Sequence, residues 1–166
     1  IDAAISLRQM IGGAPIARLR VETYAAALDV CDRMDPYTDY EAKFSLQHAV
    51  AAALTRDVDF DAFGDEARRD LAGIRRVTSL AVSEPYKSAY PVHWGARVEA
   101  TLVGGRTVEA TRTDAKGDPE APLSRDEMIE KARMLMRFGG VSEPDGVIAA
   151  ILNLPQARTL PRLPGL

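Results

Sequence analysis

Residues 92 to 113 constrain the fold more than any other stretch of this chain. Val92 to Val103 sets Ala96, Val98, Ala100 and Leu102 at every second position, Gly104-Gly105 follows, and Arg106 to Thr113 alternates again. A period of two is the spacing of a half-buried strand, and two glycines between such runs supply a tight turn. The stretch is a hairpin with one face on a core, so the fold includes antiparallel sheet. Ile16 to Tyr24 alternates in the same way, its arginines and glutamate facing the other way from Ile16, and Ile74 to Val82 is a third strand candidate. Helical signals surround these strands. Residues 1 to 11 place Ile1, Ala4, Ile5 and Arg8 on one stripe, and Gly12-Gly13 with Pro15 ends that helix. Residues 25 to 34 are compatible with a helix, and Asp65 is placed to cap a short one that runs through Ala72 and is closed by Gly73. Ser124 with Glu127 makes a capping box for a helix to about Phe138, with Met128, Ala132 and Leu135 inward. A last helix is expected from Asp145 to Leu154, before a tail marked by Pro155, Pro161 and Pro164. The order helix, strand, helices, three strands, helices predicts an α+β fold: an antiparallel-containing sheet with helices packed on one face, followed by C-terminal helices.

Between the first two strand candidates, Asp35 to Thr55 carries residue types that folding alone does not require. Pro36 bars a helix from starting upstream, and Thr38 and Asp39 offer oxygens to the first free N–H groups, so one helix is expected from Asp39 to Thr55. Ala42, Leu46, Ala49, Val50 and Ala53 form one apolar stripe, and Phe44, His48, Ala51 and Ala52 stand opposite where charges are usual. Lys43 and Gln47 lie between the two. A helix apolar on two sides with Lys, Ser, Gln and His between them suits the wall of a pocket or a domain interface. Just beyond it, Asp57 to Phe63 reads as an acidic turn stapled by Phe60 and Phe63.

Charge and composition narrow the function. A net charge of -3 gives no general attraction to nucleic acid or to an anionic membrane surface. The single Cys31 makes no internal disulfide, and two histidines with one cysteine do not assemble a Cys/His metal cluster, so no metal and no cofactor is expected. No apolar run approaches the roughly 20 residues that span a bilayer, and a reducing cytoplasm fits best. P-loop, dinucleotide and nucleophile-elbow motifs are absent. What remains is a set of individual side chains. His48 is a candidate general acid or base, although a helix histidine satisfied by a neighbour is the more common case. Lys43 is a candidate carboxylate anchor, against the commoner surface lysine. His93-Trp94-Gly95 reads as a binding edge or, more simply, as core packing with an exposed imidazole. Lys116-Gly117-Asp118-Pro119 is a loop able to bend over a site, and Cys31, without a base partner, reads as buried.

Glu41-Ala42-Lys43-Phe44-Ser45-Leu46-Gln47, followed downstream by Lys116-Gly117-Asp118-Pro119 and Pro122-Leu123-Ser124, resembles the MmgE/PrpD family. That family includes 2-methylcitrate dehydratase and cis-aconitate decarboxylase. The resemblance implies a large helical domain plus a smaller α+β domain with the active site between them. Residues 1–123 would be the small domain and 124–166 the helices that pack back on the large one, which would precede this chain as a missing N-terminal helical domain. It implies a metal-independent elimination on a small di- or tricarboxylate, with the principal acid/base residues in the large domain. Lys43, Ser45 and Gln47 would bind substrate and His48 would act at the site, beside a loop bearing Lys116 and Gly117. Where relatives often carry a tyrosine after the Ser-x-Gln stretch, this chain has His48. The full protein would be a homodimer that binds neither nucleic acid nor membrane, and this piece alone would be inactive. The rival expectation is a non-catalytic α+β ligand-binding or interaction module, and a homologue that binds without turnover is a third.

Overall fold

The computed structural model describes residues 1–163, and Pro164 of the expected tail lies outside them. The chain divides into two compact units, Ile1–Ala121 and Pro122–Leu166.

In the first unit, α1 (Asp2–Ile11) ends at Gly12, whose φ of 60° is the left-handed cap that glycine adopts without strain. Strand β1 (Ile16–Thr23) follows, then α2 (Ala25–Cys31), α3 (Asp39–Lys43) and α4 (Leu46–Thr55). A 3-10 turn at Asp61–Phe63 leads to α5 (Asp65–Asp70), α6 (Ala72–Arg76) and β2 (Thr78–Val82). The short α7 (Tyr86–Ala89) precedes the hairpin of β3 (Ala96–Leu102) and β4 (Thr107–Arg112). The sheet order is β2-β1-β3-β4, parallel between β1 and β2 and antiparallel elsewhere. A parallel neighbour requires the chain to return to its starting edge. Residues 24–77 make that return, and α2 to α6 lie in it.

One face of the sheet packs on α1 and α4. Ala3, Ala4, Leu7 and Ile11 from α1 and Val50, Ala53 and Leu54 from α4 meet Leu19, Val21, Val98, Ala100, Leu102 and Ala110. The far side of α4 is also covered: Ala51 and Ala52 pack on Ala62, Ala67 and Leu71. The other face of the sheet carries a charged lattice in which Arg97 bridges Glu22, Glu99 and Glu109, and Arg20 holds Glu22. The fold is α+β, as expected.

Several local expectations are corrected. The helix expected over Asp39 to Thr55 is two helices, because the Ser45 hydroxyl accepts the His48 N–H at 3.0 Å and caps a fresh start. The buried stripe of α1 is Ala3, Ala4, Leu7 and Ile11, with Arg8 turned out to Asp57. Gly73 lies inside α6, and Ile74 to Arg76 are helical, so only Thr78–Val82 of the expected third strand pairs. Ile16 does lie across the sheet from Arg18 and Arg20, but a bulge is what puts it there: Ile16 pairs with Leu102 while Arg18 pairs with the adjacent Thr101. The extra residue, Ala17, shifts the alternation by one and lets Ile16 join the core face. The hairpin turn is closed by the Gly105 N–H on the Leu102 carbonyl, with Gly105 at φ 84°.

The second unit comprises α8 (Arg125–Phe138), α9 (Pro144–Leu152) and a 3-10 turn at Leu154–Gln156. The Ser124/Glu127 capping box is present. Met128 and Leu135, expected inward, are exposed, and the buried residues of this pair of helices are Pro144, Val147 and Ile148. Among the described residues no helix is long and apolar enough to cross a membrane.

Candidate functional site

The sequence-predicted residues of the Asp35–Thr55 stretch gather at the α3/α4 junction. Thr38 and Glu41 close a reciprocal capping box, and Glu41 also takes the Tyr37 N–H at 2.7 Å and the Arg33 guanidinium at 2.7 Å. Tyr37's N–H is the largest of the influences that hold the Glu41 carboxyl below its ordinary range. Ser45 is 1% exposed and donates to the Arg33 carbonyl at 2.6 Å. Gln47, 2% exposed, donates to Asp32 at 2.6 Å and accepts the Arg33 N–H at 3.2 Å. Together they pin the segment that leaves α2 onto the start of α4.

His48 is 0% exposed. Its Nε2 lies 2.8 Å from the Ala62 carbonyl, which can only accept, so Nε2 carries the proton and Nδ1 is left to accept from Nη1 of Arg75 at 3.3 Å. Burial pushes the imidazole pKa down, the charges of Arg75, Arg68 and Arg56 push it further, and the Ala62 carbonyl opposes them. Arg75, itself 4% exposed, also donates to the carbonyls of Met34 and Arg68. Both ring nitrogens of His48 thus face protein partners in the interior. Lys43, by contrast, is exposed, its ammonium 5.5 Å above the Phe60 ring. Tyr37, Tyr40 and Phe44 are exposed on the same short segment.

A second constellation stands on another face of α4. Leu46 and Val50 help line a cavity of about 90 Å³ at the N-terminal end of α1, bounded also by Asp2, Thr23, Trp94, Arg112 and Asp114. The Lys116–Gly117 loop sits at this end: the Lys116 N–H donates to Asp2 at 2.8 Å, and Gly117, at φ 106°, donates to the Ala121 carbonyl at 2.8 Å. Beside the cavity, Nδ1 of His93 lies 2.7 Å from Asp114, with the imidazole half-exposed. The sequence reading places His93 at a strand start and passes over Arg112 and Asp114. Their signal is parity: Val108 and Ala110 mark the core face of β4, and Arg112 takes the next position on that face. Cys31 is half-buried rather than buried, and desolvation pushes its thiol pKa up, away from a nucleophilic thiolate.

The architecture defines an α+β domain with a mixed sheet, two polar constellations around α4 and a separate pair of C-terminal helices. The chain belongs to the MmgE/PrpD family: residues 1–154 match the MmgE/PrpD C-terminal domain. That family is associated with dehydratase and lyase-type enzymes. A comparison with curated proteins found no match.

Proposed function

We propose that this chain is the C-terminal part of a metal-independent carbon-oxygen lyase acting on a small di- or tricarboxylate of the 2-methylcitrate type. The observation that carries the reading is the family match across residues 1–154. In such an elimination a base removes the proton beside a carboxylate and an acid assists departure of hydroxide, and both must reach one substrate. The principal acid and base belong to a preceding helical domain, and this chain supplies one wall. Lys43 is the residue of that wall fitted to hold a carboxylate, because its charge is accessible and rests on an aromatic ring. Ser45, Gln47 and His48 act from beneath, by fixing the α3/α4 junction that presents Lys43. The enzyme works as a cytoplasmic homodimer without a cofactor.

A non-catalytic binding module is the rival. It calls for a solvated second face on α4, and Ala51 and Ala52 on that face are fully buried. The test is to assay the complete protein with 2-methylcitrate, citrate and cis-aconitate, following enoate absorbance and carbon dioxide release, with this chain alone in parallel. Turnover by the complete protein and none by the chain is expected; no turnover with any of the three substrates would overturn the reading.

A further inference from the structure

We propose that Arg158 to Pro164, which reads Arg-Thr-Leu-Pro-Arg-Leu-Pro, is a docking peptide for a protein domain of the SH3 kind, with slots between aromatic rings and a carboxylate beside them. The family does not account for this segment: the match ends at residue 154, and the motif begins at Arg158. Its spacing carries the inference. A polyproline II helix has three residues per turn, so Arg158, Pro161 and Pro164 would share one edge of it, and Leu160 and Leu163 the adjoining one. Each Leu-Pro pair then makes an apolar ridge of the shape that aromatic slots accept. The arginine stands at one end, where a planar guanidinium can grip a carboxylate through two parallel hydrogen bonds. Proline holds φ near its polyproline II value and offers no N–H to a helix or sheet, so little conformational freedom is lost on docking.

The structure leaves the segment available. The 3-10 turn at Leu154–Gln156 ends at Ala157, whose φ of −76° and ψ of 130° lie in the polyproline II region. From Ala157 to Leu163 no helix or strand forms, and a bend at Arg158 and Thr159 is what docking would straighten. Leu160 is 88% exposed, and Arg158, Arg162 and Leu163 are exposed with it. A leucine so far out in water adds nothing to the core, whereas covering it on a partner recovers the gain of burial. Charge selects the partner further. Arg158 and Arg162 are the only charged residues after Asp145, so the segment is locally basic in a chain whose net charge is -3, and it suits a groove with an acidic rim.

The probe is an isolated, isotope-labelled SH3 domain of the type that takes Arg-x-x-Pro-x-x-Pro ligands, titrated with this chain and followed by its amide and indole cross-peaks. Saturable shifts are expected, confined to the aromatic groove and the acidic loop beside it. R158Q should weaken binding about ten- to a hundredfold, the loss of one charge-assisted contact, and P161A/P164A should remove it, with the thermal midpoint of the chain unchanged in both. A synthetic peptide of residues 155–166 repeats the titration without depending on any fold, and it is expected to shift the same cross-peaks. No shift with the chain or the peptide, shifts outside the groove, or undiminished binding by P161A/P164A overturns the proposal. The last of these would reduce the contact to two arginines on an acidic surface.

Discussion

Nδ1 of His48 accepts from Nη1 of Arg75 across 3.3 Å, so a neutral imidazole and a guanidinium share one interior contact. Protonating His48 would place a second positive charge and an N–H where that contact now stands. The folded pKa is therefore below the unfolded value of about 6.5. The sign follows: above about pH 6.5 both states are neutral there and His48 contributes no slope, while below it the unfolded chain takes up a proton that the folded one refuses. We expect stability to fall by up to about 1.4 kcal/mol per pH unit from this group as pH drops from 6.5 towards the folded pKa. Urea midpoints measured from neutral pH to about pH 5 should show the loss, and H48L, less stable throughout, should lack that part of the slope.

Acid acts on the exposed face of the sheet at lower pH. Burial raises the Glu22 pKa, but the hydrogen bonds and charges of Arg20 and Arg97 together outweigh it, and the net shift is downward. A carboxylate with a depressed pKa stabilises the fold above its unfolded value, near 4.5, and that stability is lost as pH falls through the folded pKa. E22Q is expected to flatten this acid limb while costing little at neutral pH, of the order of 1 kcal/mol, because the lattice is partly screened by solvent. Thermal midpoints of E22Q and wild type against pH test this, and parallel curves below pH 4.5 would refute it.

Gly95 sits where two strand ends and α7 converge. A Cβ there would lie 2.8 Å from the Arg112 carbonyl, 2.8 Å from Tyr86 Cδ1 and 3.0 Å from the Thr113 carbonyl. Two of these three neighbours are backbone, so neither can swing aside. G95A is expected to cost about 1–3 kcal/mol and to shift Trp94 emission, since the strain falls on the wall of the cavity. Calorimetry and fluorescence on the one variant check both parts.

The sequence made the hairpin, a helix start at Thr38–Asp39, the capping box at Ser124, and the two-sided burial around His48 readable, because each depends on residues within a few positions of one another. It hid what depends on distant partners. Ser45 looks like a mid-helix serine until the Arg33 carbonyl arrives to hold its hydroxyl, and the helix then restarts. Arg75 looks like a strand residue until Met34 and Arg68 present their carbonyls. The parity of Ile16 in β1 depends on a bulge opposite Leu102, which no local pattern announces. At the site, the Lys43 to His48 block was legible as unusual, but which side chains face solvent was not: a one-helix wheel has no break at Phe44. Arg112 and Asp114 were overlooked because two charged residues at a strand end look solvated until the core face is known.

The two residues picked out most strongly by sequence, Lys43 and His48, make different demands on an experiment. His48 is bonded at both nitrogens in the interior, so replacing it removes support from Ala62 and Arg75 and lowers stability wherever activity is measured. Lys43 is exposed and rests on Phe60, so K43M should leave the thermal midpoint nearly unchanged. If Lys43 holds a substrate carboxylate in the complete enzyme, K43M should lower kcat/KM about ten- to a hundredfold, the loss of one charge-assisted contact, and K43R should recover part of it. A rise in KM with kcat intact would mean that Lys43 binds substrate and transition state alike, whereas a fall in kcat would mean that its contact tightens as charge develops on the carboxylate. Wild-type kinetics in K43M would remove Lys43 from the site and leave the wall to other residues of the chain.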